Sequence, residues 1–173
     1  MKKLGIVSLW SIPITIISTG TFLMAYYMAD KPSWIYTVVS YLLIAGCLLA
    51  AMFQFRNKVN GGYTSYGQAF VIGLLTTLLY SALTIIISAI FVKMHPDFID
   101  KALAARQADM INSGVSENDM RKGLEAARGL FIPLMIIFGF IFSLIIGIVL
   151  SLIMAAITNK PKPFIEDNIT PQS

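Results

Sequence analysis

The chain has 173 residues, of which 57% are apolar and only 13% charged, and it carries a formal charge of +4. A soluble domain averages roughly 45–50% apolar and about 25% charged. The double departure, with a mean hydropathy of +0.75, excludes an ordinary water-soluble domain and places the chain in lipid. The basic residues sit in short pairs beside apolar segments, which excludes the basic patch of a nucleic-acid binder.

Four stretches lack Asp, Glu, Lys, Arg and His and can cross a bilayer, which takes about 20 helical residues. They are residues 4–29, 34–55, 63–92 and 130–158. Continuous apolar runs, rather than short alternating ones, select helices over barrel strands. The expected fold is therefore an all-α integral membrane protein. A single domain over residues 1–173 has four transmembrane helices, with a short helical extramembrane insert between the third and fourth.

The first run follows Met1-Lys2-Lys3, as a signal peptide would. Its apolar part outlasts the usual h-region of about 7–15 residues, and bulky Tyr27 stands where a cleavage site wants a small residue. A retained helix is expected. Asp30-Lys31-Pro32-Ser33 then joins the first two spans as an antiparallel hairpin. Tyr26, Tyr27, Trp34 and Tyr36 crowd the turn at headgroup level. The second and third spans are linked by Arg56-Asn57-Lys58-Val59-Asn60-Gly61-Gly62, a turn-forming stretch.

Residues 93–129 form the only long polar segment and read as two short helices. The first begins at Pro96, carries Ile99, Leu103 and Met110 on one stripe, and stops at Asn112-Ser113-Gly114. Ser116 caps the second through Asp119, and Met120, Leu124, Ala127 and Phe131 carry its stripe into the fourth span. Glu117 and Arg121 are spaced for an i,i+4 ion pair. Pro133 predicts a break in the first turn of the fourth span. The tail, residues 159–173, holds Pro161, Pro163 and Pro171 and is expected to be disordered.

Both termini of a four-span chain share one side. Basic residues are nearly balanced between the two sides, so the first helix decides. Two lysines precede it, and one lysine beside an aspartate follows it. This predicts both termini in the cytoplasm.

Little chemistry is on offer. Cys47 is the single cysteine and His95 the single histidine, so disulfides and Cys/His metal sites are excluded. His95 has no nucleophile or metal partner in the pattern and reads as a solvated interfacial residue. No phosphate loop, nucleophile elbow or carboxylate pair appears. No catalytic, cofactor-binding or metal-binding residue is assigned, and no cofactor is expected. The spans carry no charge, the usual mark of an ion path. Their polar residues are Ser11, Thr15, Ser18, Thr19, Thr76, Thr84 and Ser88, with Gln54 and Gln68 near the surface. Such hydroxyls usually bond the carbonyl one turn back, the alternative being to line a polar cavity.

The strongest pattern is a ladder of small residues. Gly139, Ser143, Gly147, Ser151 and Ala155 recur every fourth position of the last span, and Ala69, Gly73, Thr77 and Ser81 do so in the third. Small faces let helix backbones approach closely in lipid, where apolar burial drives little. Packing of the third span on the fourth is the plain reading, and a homo-oligomer seam the sharper one.

Taken together, Tyr66-Gly67-Gln68-Ala69-Phe70 opening the third span, Met94-His95-Pro96 closing it, and the insert broken at Gly114-Val115-Ser116 carry a resemblance, as does the terminal run Ser151-Leu152-Ile153-Met154-Ala155-Ala156. The chain resembles an uncharacterised bacterial membrane family, the domain of unknown function 4199 (DUF4199), over nearly its full length. The resemblance implies a bacterial inner-membrane location and assigns no active site. The leading functional expectation is a non-enzymatic membrane protein whose insert meets a protein partner, as an accessory subunit would. The alternative is an oligomeric small transporter or channel component, and a membrane-embedded enzyme comes third. The partners expected are the lipid bilayer and either a protein partner or a second copy, with no nucleic acid.

Overall fold

The computed structural model describes residues 2–27, 34–114 and 116–162. It contains five helices among those residues: α1 (Lys2–Tyr27), α2 (Trp34–Lys58), α3 (Tyr66–Met94), α4 (Pro96–Asn112) and α5 (Glu117–Thr158). Four of these, α1, α2, α3 and α5, are long and apolar enough to cross a membrane. The hairpin residues expected between the first two spans lie outside the described residues. The antiparallel pairing itself is visible in two cross-helix bonds: Trp10 Nε1 donates to Gln54 Oε1 (2.5 Å), and the Thr21 and Ser40 hydroxyls meet at 2.6 Å.

The bundle is inverted relative to a soluble core. Its outward faces are large and apolar, with Leu42 67% and Phe138 64% exposed, as lipid contact allows. Its seams hold small or hydroxylated residues: Ser11, Ala51, Ala69, Thr76, Thr77, Ser81 and Ser151 are all fully buried. Larger buried groups (Ile14, Leu48, Met52, Phe55 and Ile72) fill what remains between the helices.

Several boundaries differ from the sequence reading. α2 continues to Lys58, so that Arg56 and Lys58 lie in its last turn against the negative end of the helix dipole. α3 starts at Tyr66 rather than at residue 63. Ser65 Oγ accepts from Gln68 N (3.3 Å) while Gln68 Oε1 accepts from Ser65 N (3.2 Å), a reciprocal capping box. The turn before it uses Gly61 and Gly62 at φ 63° and 88°, backbone values that glycine adopts freely.

The largest difference is α5. The second insert helix and the fourth span are one helix of 42 residues, about 63 Å at 1.5 Å per residue. Pro133 lies well inside it and does not break it. Proline removes only its own N–H and so only the bond to the Gly129 carbonyl, leaving the rest of the helix ladder in place.

The tail also begins in order. Thr64 and Lys160 exchange both backbone hydrogen bonds (2.8 and 2.9 Å), pinning the chain after α5 to the α2–α3 turn. Asn159 and Lys160 therefore have a fixed place, contrary to the disorder expected from residue 159 onward. Residues 163–173 lie outside the described residues.

α4 folds back along the first turns of α5. The stripe residues Ile99, Leu103, Met110, Met120 and Leu124 are each half-buried. Met110 Cε comes within 3.6 Å of where a β-carbon on Gly123 would sit, and Leu103 and Leu124 line one groove between the helices. The stripe thus closes the hairpin instead of facing outward. Arg128 and Asp100 fasten it (2.8 Å), while the expected Glu117–Arg121 pair is not among the ion pairs of the described residues.

Candidate functional site

Both small-residue ladders lie on the α3–α5 seam. A β-carbon on Gly147 would come within 2.8 Å of Thr77 Oγ1 and 3.1 Å of Thr77 Cβ, and closer still to the Thr77 methyl. One on Gly73 would meet Ser151 Oγ at 2.7 Å and run into the Met52 methyl. The Thr77 and Ser151 hydroxyls approach to 3.5 Å across the seam. Ala69 and Ala155 are fully buried and belong to one cluster with Met52. The antiparallel register is set by these pairs, and it opens toward the far end. There Gly139 faces only the tip of Ile85, and Ser143 turns its hydroxyl back to the Phe140 carbonyl (3.0 Å).

Most span hydroxyls fall into two groups; Thr19 belongs to neither, its hydroxyl being buried without a hydrogen bond and not part of the cleft wall. Ser11, Thr15, Thr76 and Thr158 each donate to the carbonyl four residues back, at 2.7–2.8 Å. Ser11 also reaches the Thr76 carbonyl of α3 at 3.3 Å. Ser18, Ser81, Thr84 and Ser88 instead line a cleft of about 360 Å³. Thr21 and Ser40 line it too, already bonded to each other. Gln54 receives the Trp10 indole and Gln68 completes the α3 cap, so neither reaches the cleft.

The cleft is bounded by the second half of α1, the first half of α2, the second half of α3 and the middle of α5. In an up-down bundle these four segments occupy the same half of the membrane, on the side of the α4–α5 hairpin. Among the described residues its walls carry no carboxylate, amine, imidazole or thiol, and their polar side-chain groups are hydroxyls, including the phenols of Tyr41 and Tyr80. Two of them are unserved. Ser81 Oγ and Thr84 Oγ1 are buried and make no hydrogen bond. The adjacent Tyr80 phenol does not serve Ser81, whose oxygen makes no hydrogen bond. A buried hydroxyl left unpaired costs about 1–3 kcal/mol, which a polar group entering the cleft would recover by pairing with it.

One end of the cleft is closed by an aromatic rim. Phe22, which lines the cleft, sits edge-on to Phe91 (centroids 5.7 Å) and 5.5 Å from Phe98 of α4. Tyr26 packs on Phe91 (5.4 Å) and Phe98 (5.5 Å), and Phe98 meets Phe131 of α5 (6.0 Å). The Tyr26 hydroxyl donates to Asp97 Oδ2, while Lys101 lies over the Tyr26 ring (4.6 Å) and 3.7 Å from the same carboxylate. That hydroxyl, helped by the Lys101 charge, holds the Asp97 carboxyl below its ordinary range.

His95 is part of this rim and not simply solvated. Its ring stacks on Phe91 (4.2 Å), its Nδ1 lies 3.0 Å from the Phe91 carbonyl, and its backbone N–H closes the end of α3. Cys47 packs among the apolar residues of α2 and its neighbours. No group of three metal-ligating side chains exists among the described residues. The rim was missed in the sequence. Phe91, His95 and Phe98 share a helical spacing, but their partners Phe22 and Tyr26 lie some seventy positions away.

A family model described as "Protein of unknown function (DUF4199)" matches residues 6–160, from the first turns of α1 to the Thr64–Lys160 bridge. The chain belongs to that family, as its helix-end motifs suggested. No curated protein and no solved structure matches it.

Proposed function

We propose that this member of the DUF4199 family is a non-enzymatic accessory protein of the bacterial inner membrane. In this reading both termini are cytoplasmic and the α4–α5 hairpin meets a protein partner on the other side. One observation carries it: α5 is a single helix about 63 Å long, roughly twice the thickness of the ~30 Å hydrocarbon core. Its first turns, residues 117–129, therefore stand outside the membrane as a rigid arm about 20 Å long, with α4 strapped along it by the inward stripe and the Arg128–Asp100 pair. What such an arm offers a partner is its polar surface, including Gln107 at the edge of the α4–α5 groove and Lys122, both exposed. The hydroxyl-only walls of the cleft support binding rather than catalysis.

The alternative is an oligomeric transporter or channel component. It is disfavoured because the small-residue ladders are already occupied within one chain, leaving no obvious seam between copies. Photocrosslinkers at Gln107 and Lys122, activated in membranes of the native host, separate the two. A single heteromeric product from the arm positions is expected. A product at twice the 19.0 kDa chain mass would overturn the accessory reading in favour of an oligomer.

A further inference from the structure

We propose that the cleft between α1, α2, α3 and α5 binds one uncharged, lipid-dissolved amphiphile, whose hydroxyl or carbonyl pairs with Ser81 and Thr84 deep in the membrane. This stands apart from the arm and its partner, because it concerns a different part of the molecule. Three observations on the cleft converge on that class of ligand.

The first is the pair of buried, unserved hydroxyls on α3: Ser81 is fully buried, and both oxygens lack a hydrogen bond. Ser88, one turn further along the same face, is buried as well. A hydroxyl can donate and accept, so either an alcohol or a carbonyl satisfies it.

The second is depth. Lys93, exposed in the last turn of α3, marks the edge of the apolar core. At 1.5 Å per residue, Thr84 lies about 13 Å and Ser81 about 18 Å below it, bracketing the middle of a ~30 Å core. A phospholipid keeps its charged head at the boundary and cannot bring a polar atom to that level. A molecule without charge can. The charge-free walls agree, since nothing there would neutralise an ionised group.

The third is shape. A volume of about 360 Å³ is at the small end of ligand sites and holds roughly a dozen non-hydrogen atoms at ~30 Å³ each. Thr37 of α2 and Phe142 of α5 line the cleft and are both exposed, so it has a mouth on the lipid-facing surface between those helices. The polar end of the ligand sits inward on α3, and its hydrocarbon chain leaves through that mouth.

The test uses the full chain in nanodiscs with a diazirine-bearing hexadecanol as probe, and phosphatidylcholine carrying the same photoreactive chain as comparator. Saturable alcohol labelling on α3 or α5 residues of the cleft is expected, with the phospholipid labelling only outward faces. Ser81→Ala with Thr84→Val removes two hydrogen bonds and should weaken alcohol labelling roughly tenfold or more. Ser88→Leu, which fills the cleft, should abolish it, and the lipid-facing Ile87→Val should leave it unchanged. Circular dichroism confirms that each variant is folded, and the filling variant decides the matter if the double variant is not. Non-saturable labelling, equal labelling by both probes, or indifference to the cleft variants would overturn the proposal.

Discussion

Replacing Gly147 with leucine tests the packing of the bundle most directly. The new β-carbon alone would stand 2.8 Å from Thr77 Oγ1 and 3.1 Å from Thr77 Cβ, inside the ~3.5 Å at which carbon atoms normally rest. Three further carbons would follow it into a seam whose opposite wall, Thr77 of α3, is fully buried and cannot swing aside. Overpacking costs about 1–3 kcal/mol, and a clash that begins at the first atom belongs at the upper end. At roughly 2–4 °C per kcal/mol for a chain of this size, thermal unfolding in detergent should fall by roughly 6–12 °C. Val149→Leu, on a face that is 50% exposed, should change it little. The milder Gly147→Ala should be partly rescued by Thr77→Ala, since the two positions share one contact and their effects are not additive. Circular dichroism melts with size-exclusion detection read both stability and association. Equal tolerance at Gly147 and Val149 would refute the seam. Loss of an oligomer with an unchanged melt would move it to an interface between copies.

Two further outcomes follow from the topology and the rim. In a Cys47→Ala background, Asn60→Cys and Ser113→Cys should label from opposite sides of the membrane. Reaction of both with an impermeant reagent in intact cells would refute the four-span arrangement, and reaction of Asn60→Cys alone would invert the orientation. The folded Asp97 carboxyl is held below its ordinary range, so its contribution to rim stability is present above the usual carboxylate pKa and lost as pH falls through the lowered value. Hydrogen-exchange protection at the start of α4, taken relative to the intrinsic rate at each pH, should therefore fall on acidification in the native chain, but stay low and unchanged in Asp97→Asn. An identical acid response in both would remove Asp97 from that role.

The sequence by itself determined the solvent, the class of fold and the small-residue seam. A bilayer leaves no water for backbone groups, so long charge-free runs can only be helices, and close approach in lipid needs side chains as small as those at Gly73 and Gly147. These are local or periodic signals. The α3 cap, Ser65-Tyr66-Gly67-Gln68, is a local signal that starting the span at residue 63 passed over, and its geometry shows why the helix starts at Tyr66. What the tertiary structure alone decided depends on side chains far apart in the chain. Pro133 alone suggests a break, but α5 runs on through it as one helix, so the insert and the fourth span form a single rod. The stripe of the insert could have faced a partner, but α4 turns it against α5. His95 acquires its surroundings only from Phe91 beneath it and Tyr26 across from it. Ser81 and Thr84 have the same local sequence chemistry as Thr76, which bonds its own helix. They differ because the α3–α5 seam, closed at Gly73 and Gly147, opens toward Gly139, where these residues line a cleft and their hydroxyls stay unpaired. Helical periodicity can place a residue on a face; only the packing of four helices determines whether that face meets a neighbour or a space.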